Sequence, residues 1–136
     1  MVNSRNKGSA FERRVASELF DLLGVTFSRD LEQYRKCDRG DLIPDDDAFP
    51  FLIEAKKTSR VLTACDPAWW QQAYRAALAA EKRPAVIWAT DRRPIRVTVS
   101  LKDTMECISR GRWSGASHLV ETNLEGFAYL CREGMC

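Results

Sequence analysis

The chain has 136 residues, of which 45% are hydrophobic, and a formal net charge of +2. That length suits one domain around one core, and the composition argues against a disordered or low-complexity chain. No apolar run approaches the ~20 residues of a membrane span, and the N-terminus MVNSRNKGSAF lacks the apolar region of a secretion signal. The five cysteines (Cys37, Cys65, Cys107, Cys131, Cys136) are odd in number and widely spaced, with no CxxC pair, and His118 is the only histidine. This pattern argues against a structural zinc site and for reduced thiols in a cytoplasmic protein, with His118 in a structural role. The net charge alone does not point to nucleic acid. The distribution says more: Arg5, Lys7, Arg13, Arg14, Arg35, Lys36, Arg39, Lys56, Lys57 and Arg60 fall within the first 60 residues, a clustering suited to neutralising phosphates.

After a polar, basic lead-in over Ser4 to Gly8, the pattern predicts a helix from about Ala10 to Leu23, stopped by Gly24. On a helical wheel Phe11, Val15, Leu19, Leu22 and Leu23 form one stripe, while Arg13, Arg14, Ser17 and Asp21 form the solvated face. Glu12 falls inside the apolar stripe. Two readings stand: Ser9-x-x-Glu12 is a capping box, or Glu12 is an acid aimed inward at a site. Val25 to Leu31 predicts a strand, and Glu32 to Arg39 a charged connection that is either a solvated loop or a phosphate-gripping one.

Gly40 to Thr58, GDLIPDDDAFPFLIEAKKT, reads as two strands joined by an acidic turn. Asp45, Asp46 and Asp47 are turn formers. Side chains alternate along a strand, so Glu54 and Lys56 share a face and Lys57 takes the other. A register pairing Leu42 with Ile53 and Ile43 with Leu52 sets Asp41 opposite Glu54, where cross-strand Cβ atoms lie roughly 5 Å apart. Two carboxylates that close repel unless a cation lies between them. Mg²⁺ suits such oxygen donors, at about 2.1 Å, and keeps several waters. Lys56 would then stand beside a water or a phosphate held by the metal. Lys57 is the better candidate for a solvated strand-end lysine.

Arg60 to Cys65 is a connector. Asp66-Pro67 is a helix start, and the helix Pro67 to Lys82 follows, with Trp69, Ala73, Ala76 and Ala80 packing down and Gln71, Arg75 and Lys82 solvated. Gln72 lies at the edge of the packing face. Trp69 and Trp70 read as core and dimer surface. Ala85 to Ala89 is a buried strand, parallel to the second hairpin strand if the helix makes a crossover, and Ile95 to Leu101 is a final alternating strand. Lys102 to Ser109 predicts a short helix and Gly111 to Ser117 a loop. His118 to Cys136 has no firm assignment; one option pairs His118–Val120 with Phe127–Leu130 as strands.

Asp41, Glu54-Ala55-Lys56, the apolar Phe51-Leu52-Ile53, Gly40, the Trp69-Trp70-Gln71-Gln72 stretch and the N-terminal KGSAFERRVA together resemble the PD-(D/E)xK nuclease superfamily, in particular its archaeal and phage Holliday-junction resolvase branch. The resemblance covers roughly Ser4 to Thr104. It departs from the pattern in two places: the Asp41 strand lacks the adjacent proline of the name motif, and the tail is unmatched. It implies an α/β fold with a restriction-endonuclease-like core, a mixed central sheet flanked by helices. It further implies one nuclease domain over 1–136, with a core of about 4–104 and an extension over 105–136. The implied activity is hydrolysis of four-way DNA junctions in recombination, by a homodimer acting in a cytoplasm (the host's, if phage-encoded). The implied metal is Mg²⁺, with Mn²⁺ as substitute, held by Asp41, Glu54 and the Ala55 backbone carbonyl, with Glu12 joining directly or through water. Lys56 and Gln72 complete the catalytic set. The basic residues Arg5, Lys7, Arg13, Arg35, Lys36, Arg39, Lys57 and Arg60 would bind the DNA backbone. Two rivals use the same residues differently: another nuclease of the superfamily, exonuclease or restriction-like, and a non-catalytic DNA-binding protein.

Overall fold

The runs Phe51–Ile53 and Ala85–Ala89 show no polar alternation because both faces of their strands are covered, which is the usual state of a parallel pair. The computed structural model describes residues 4–30, 40–109 and 118–135, with side chains from residue 8 onward. The connection over 32–39 with its Arg35, Lys36, Cys37 and Arg39, the loop over 111–117, and Cys136 lie outside the described residues, as do the side chains of Arg5 and Lys7.

The elements are α1 (Ser4–Leu23), β1 (Phe27–Arg29), β2 (Leu42–Pro44), β3 (Phe51–Thr58), α2 (Pro67–Ala80), β4 (Arg83–Thr90), β5 (Arg96–Ser100), α3 (Leu101–Ser109), β6 (Leu119–Thr122) and α4 (Leu124–Met135). The six strands form one mixed sheet in the order β1-β2-β3-β4-β5-β6. Only β3 and β4 are parallel, paired from Phe51↔Arg83 to Thr58↔Thr90, and α2 is the crossover between them. The mixed sheet with flanking helices is the α/β architecture expected from the motif residues.

The larger core lies on one face, where Phe51, Ile53, Ala85, Ile87, Val97 and Val99 meet Phe11, Val15 and Leu19 of α1, Cys107 of α3 and Phe127, Leu130 and Cys131 of α4. Phe27, Phe49, Phe51 and Phe127 meet edge to face within it. The opposite face carries α2, whose Ala73 packs on Val86 and Trp88 and whose Ala76 and Ala77 pack on Leu52. Alanines let this helix lie close to the sheet.

Three sequence expectations change. First, α1 begins at Ser4 rather than near Ala10, so Ser9 is inside the helix, where its Oγ accepts from Arg13 at 2.9 Å. The capping box with Glu12 therefore does not form. Second, Phe127–Leu130 is not a strand pairing with His118–Val120. β6 pairs with β5 instead (Val99↔Val120, Ser100↔Leu119), and Leu124–Met135 is helical. The apolar positions Leu124, Phe127, Leu130 and Cys131 recur at helical spacing and all face the core. Residues after Thr104 thus complete both sheet and core. Third, the strand expected over 25–31 shortens to Phe27–Arg29.

The helix signals hold. Gly24 adopts φ 70° directly after α1, and its N–H donates to the Phe20 carbonyl at 2.8 Å. Asp66 caps α2, accepting from Ala68 N–H at 2.9 Å, with Pro67 in the first turn. The Ala68 N–H, and then the Arg60 guanidinium, hold the Asp66 carboxyl below its usual range. A depressed folded pKa adds stability above the unfolded value of about 3.9, and that stability is lost as pH falls through the folded value. Asp66→Ala is therefore expected to lower Tm at pH 7 and to have a smaller effect near pH 3, as thermal melts at the two pH values would show.

Cys65, Cys107 and Cys131 are free thiols. Burial pushes Cys65 up to about 11 and raises Cys107 and Cys131 as well, which suits structural rather than reactive cysteines.

Candidate active site

Gly40 is where β2 is pressed onto β3. A Cβ there would lie 2.2 Å from the Ile53 carbonyl oxygen, so only glycine fits. The next residue uses that closeness. The Asp41 N–H donates to Ile53 O at 2.8 Å, and its Oδ2 accepts from Ala55 N–H at 2.7 Å. Asp41 thus grips β3 on both sides of Glu54. Leu42 pairs with Ile53 as the hairpin register requires, while Ile43 and Leu52 are not a ladder pair. A strand residue's N–H and C=O project to the same edge, so the Ala55 carbonyl shares the edge at which the Asp41 carboxylate sits.

Glu54 is fully buried between β3 and α2. Burying a carboxylate is costly without compensating partners, and α2 supplies one. Gln72 Nε2 lies 3.4 Å from Glu54 Oε2, and Gln72 Oε1 accepts from Lys56 Nζ at 2.8 Å. The amide orientation follows from the chemistry, because a lysine only donates and a carboxylate only accepts. Strand alternation puts Glu54 and Lys56 on one face, and Gln72, at the edge of the α2 packing face, joins them. Gln71 is exposed.

The acidic turn stays apart from this group. Asp45 exchanges bonds with Thr26, donating to its carbonyl at 2.9 Å and accepting from its N–H at 3.2 Å. Asp46 Oδ1 caps the turn at Ala48 N–H. Both are turn formers.

Glu12 faces the α1 side of the sheet, where Arg29 Nε donates to its Oε2 at 2.7 Å. Arg29 precedes Asp30, whose N–H bonds the Asp41 carbonyl at 3.0 Å. Glu12 is therefore tied to the strand residue beside Asp41's own backbone partner. Sequence reasoning passed over Arg29. Its signal was the alternation from Phe27, which turns both side chains toward α1.

Lys57 points to the face opposite Lys56, as alternation requires, but it is not a solvated strand-end lysine. Its side chain is only 16% exposed, with the ammonium 5.7 Å from the Phe11 ring centroid and 4.0 Å from Asp91 Oδ1. Among the proposed phosphate-binding residues with described side chains, Arg13 and Arg60 are exposed.

Among the described residues, no three His, Cys, Asp or Glu side chains form a group able to hold a metal ion. The donors at the β3 edge are two carboxylates, Asp41 and Glu54, and the neighbouring Ala55 carbonyl. All are hard oxygen ligands, and Asp41, bonded to β3 at Ile53 and Ala55 on either side of Glu54, gives a donor set whose chemistry fits a small divalent cation that keeps its own waters. No helix among the described residues is long and apolar enough to cross a membrane.

A search of the curated proteins finds none that matches this chain. Among solved structures, the fold is similar to that of the 1.6 Å structure of Hjc, a Holliday junction resolvase from the archaeal hyperthermophile Archaeoglobus fulgidus. The TM-score is 0.52 at 15% sequence identity, covering 90% of this chain and 88% of that one. That likeness, with the mixed sheet and flanking helices, places the chain in the PD-(D/E)xK nuclease fold. The model of one protein family, described as phage putative PDDEXK endonuclease, matches residues 3–127. With Asp41, Glu54, Ala55, Lys56 and Gln72 inside that span, the chain belongs to the phage putative PDDEXK endonuclease family.

Proposed function

We propose that this protein is a metal-dependent, structure-specific endodeoxyribonuclease that cuts four-way DNA junctions by phosphodiester hydrolysis. The observation that carries the reading is Gln72 bridging Glu54 and Lys56 while Asp41 holds Ala55. These bonds support a site in which two acids, a cation and an orienting amide act together, a set with no evident use in a protein that only binds phosphates. Residues 1–136 act as one nuclease domain, and the natural setting is recombining phage DNA in a host cytoplasm.

Asp41, Glu54 and the Ala55 carbonyl would hold Mg²⁺, or Mn²⁺ in its place. When bound, the ion supplies Lewis-acid stabilisation of charge on the phosphate and lowers the pKa of water. The chain's own residues do the rest. Asp41 is fixed by Ala55 N–H, so its carboxylate does not have to find its orientation when DNA arrives. Gln72 aligns Glu54 and steadies the Lys56 ammonium. Lys56 offers a positive charge to the attacked phosphate or orients the attacking water. Glu12, steadied by Arg29, orders the metal site directly or through water. Arg5, Lys7, Arg13, Arg35, Lys36, Arg39 and Arg60 contact phosphates and read DNA shape rather than bases; Lys57, held by Phe11 and Asp91 on the opposite face of β3, is left out of that set. A four-way junction has two symmetric strands to cut, which calls for a homodimer.

The test is cleavage of a labelled synthetic four-way junction with Mg²⁺, with linear duplex and single strands run beside it. Paired symmetric nicks in the junction, with linear DNA cut at least ~100-fold more slowly, are expected; a ratio that large reflects a specificity of about 3 kcal/mol. Equal cutting of linear DNA would move the function to an exonuclease or restriction-like enzyme using the same site. No cutting with Mg²⁺ or Mn²⁺ would leave a DNA-binding role.

A further inference from the structure

Between β3 and α2 the chain crosses from the end of the site strand to the start of the helix that carries Gln72. Val61, on this crossing, is the most exposed of the large hydrophobic residues among those described, at 88%. A lone exposed valine by itself needs no explanation. Here, however, its neighbours on both sides are fastened. Arg60 N–H bonds Thr58 Oγ1 at 3.1 Å, and its guanidinium donates to Asp66 Oδ2 at 2.9 Å and lies 6.0 Å from the Trp69 ring centroid. On the other side, Leu62 packs into the cluster of Ala73, Val86 and Trp88.

Arg96 of β5 completes the brace. Its guanidinium lies 4.2 Å from the Trp88 ring centroid, donates to the carbonyls of Leu62 (3.1 Å) and Thr63 (2.6 Å), and meets Glu121 at 2.8 Å. Trp88 is itself fixed by Nε1 donating to Thr98 Oγ1 at 3.1 Å. A planar guanidinium stacked on an indole and bonded to two successive carbonyls holds a loop far more rigidly than water would. The result is an apolar side chain held outward between two anchors. It sits five residues past Lys56, and Trp69, which Arg60 covers, lies one turn before Gln72 on α2.

We propose that Val61 is an apolar wedge that packs against an unstacked base of the bound DNA, while the exposed Arg60 takes the adjacent phosphate. The inference rests on the nuclease reading only in taking DNA as the occupant of this face. Apolar side chains that enter base steps must offset the cost of unstacking. That cost is least where bases are already unpaired or poorly stacked, as at a branch point. A rigid wedge wastes no ordering entropy on contact, and the cation beside it is complementary to the DNA backbone. Val61 would thus contribute selectivity for branched over fully paired DNA without touching the chemistry.

The experiment places 2-aminopurine at the branch point of a four-way junction and follows its fluorescence on binding. The binding protein is Glu54→Gln, so that nothing is cut, with and without Val61→Ala. Binding is expected to brighten the base. Val61→Ala should remove most of that rise and weaken junction binding about 15-fold, the effect of losing two buried methyl groups. Val61→Leu should retain both, and affinity for fully paired linear duplex should stay within about twofold of the parent. Because Val61 is exposed, its Tm should not move. Unchanged fluorescence and affinity in Val61→Ala would overturn the wedge even if the wild type cuts junctions. A Val61-dependent signal in a protein that cuts no DNA would uphold the wedge and overturn the nuclease reading instead. No junction binding at all would overturn both.

Discussion

Glu54→Gln should abolish DNA cleavage while leaving the protein at least as stable as the wild type. Removing residues that merely orient a metal ligand typically costs 10–100-fold, so loss of the ligand itself should cost at least ~100-fold. The stability expectation follows from burial. Glu54 is fully buried in its fold position, and taking a charged carboxylate out of water opposes folding even with an amide to meet it. Glutamine keeps the shape and can still meet Gln72, so Tm should be unchanged or rise by a few degrees, the scale set by about 1 kcal/mol in a domain of this size. A loss of cutting with no loss of Tm would separate a functional carboxylate from a structural one. Retained cutting, or a large fall in Tm, would remove Glu54 from the site.

Gly40→Ala should damage fold and activity together. The added methyl would lie 2.2 Å from Ile53 O and about 3 Å from the Ile53 N and C atoms. These are backbone atoms of a strand hydrogen-bonded on both sides, so β2 must move instead. Overpacking of this kind costs about 1–3 kcal/mol, or a Tm fall of roughly 5–15 °C. Since Asp41 is the next residue, the same shift would pull its carboxylate off Ala55 N–H. A misplacement near 1 Å costs on the order of 100-fold in rate. Gly8→Ala is the control. It lies within α1, and a Cβ there meets nothing within 4 Å, so alanine should stabilise by about 0.5–1 kcal/mol and leave cutting unchanged. Melting curves and junction cleavage on the two variants would check both expectations.

Much of the site could be read in the chain because strand geometry is periodic. Alternation along Phe51–Thr58 assigned Glu54 and Lys56 to one face and Lys57 to the other, and turn chemistry set Asp45 and Asp46 in the turn, where the structure has them. The spacing of Trp69, Ala73, Ala76 and Ala80 gave the packing face of α2 and favoured Gln72, at its edge, over Gln71; the bonds to Glu54 and Lys56 came only with the structure. What could not be read was long-range. The Glu12–Arg29 pair depends on how α1 lies across β1, which no local pattern encodes. The capping-box expectation failed because polar residues Ser4 to Gly8 continue the helix, so the cap signal at Ser9 fell inside it. The Lys57 environment was missed because its partners, Phe11 and Asp91, come from distant segments. In the tail, residues 124–131 hold a helical repeat of five buried positions, but the short strand before it obscured the change of period. The Arg96 brace on Trp88 joins β5 to the loop after β3, and only the sheet order brings those segments together.

The most direct test of the account is junction cleavage by wild type and Asp41→Asn, each assayed with Mg²⁺ and again after EDTA. The account predicts cutting by the wild type with Mg²⁺, none after EDTA, its return on adding Mg²⁺ or Mn²⁺, and none from Asp41→Asn in any condition. Cutting that survives EDTA, or that persists in Asp41→Asn, would contradict a metal-dependent site built on Asp41 and Glu54.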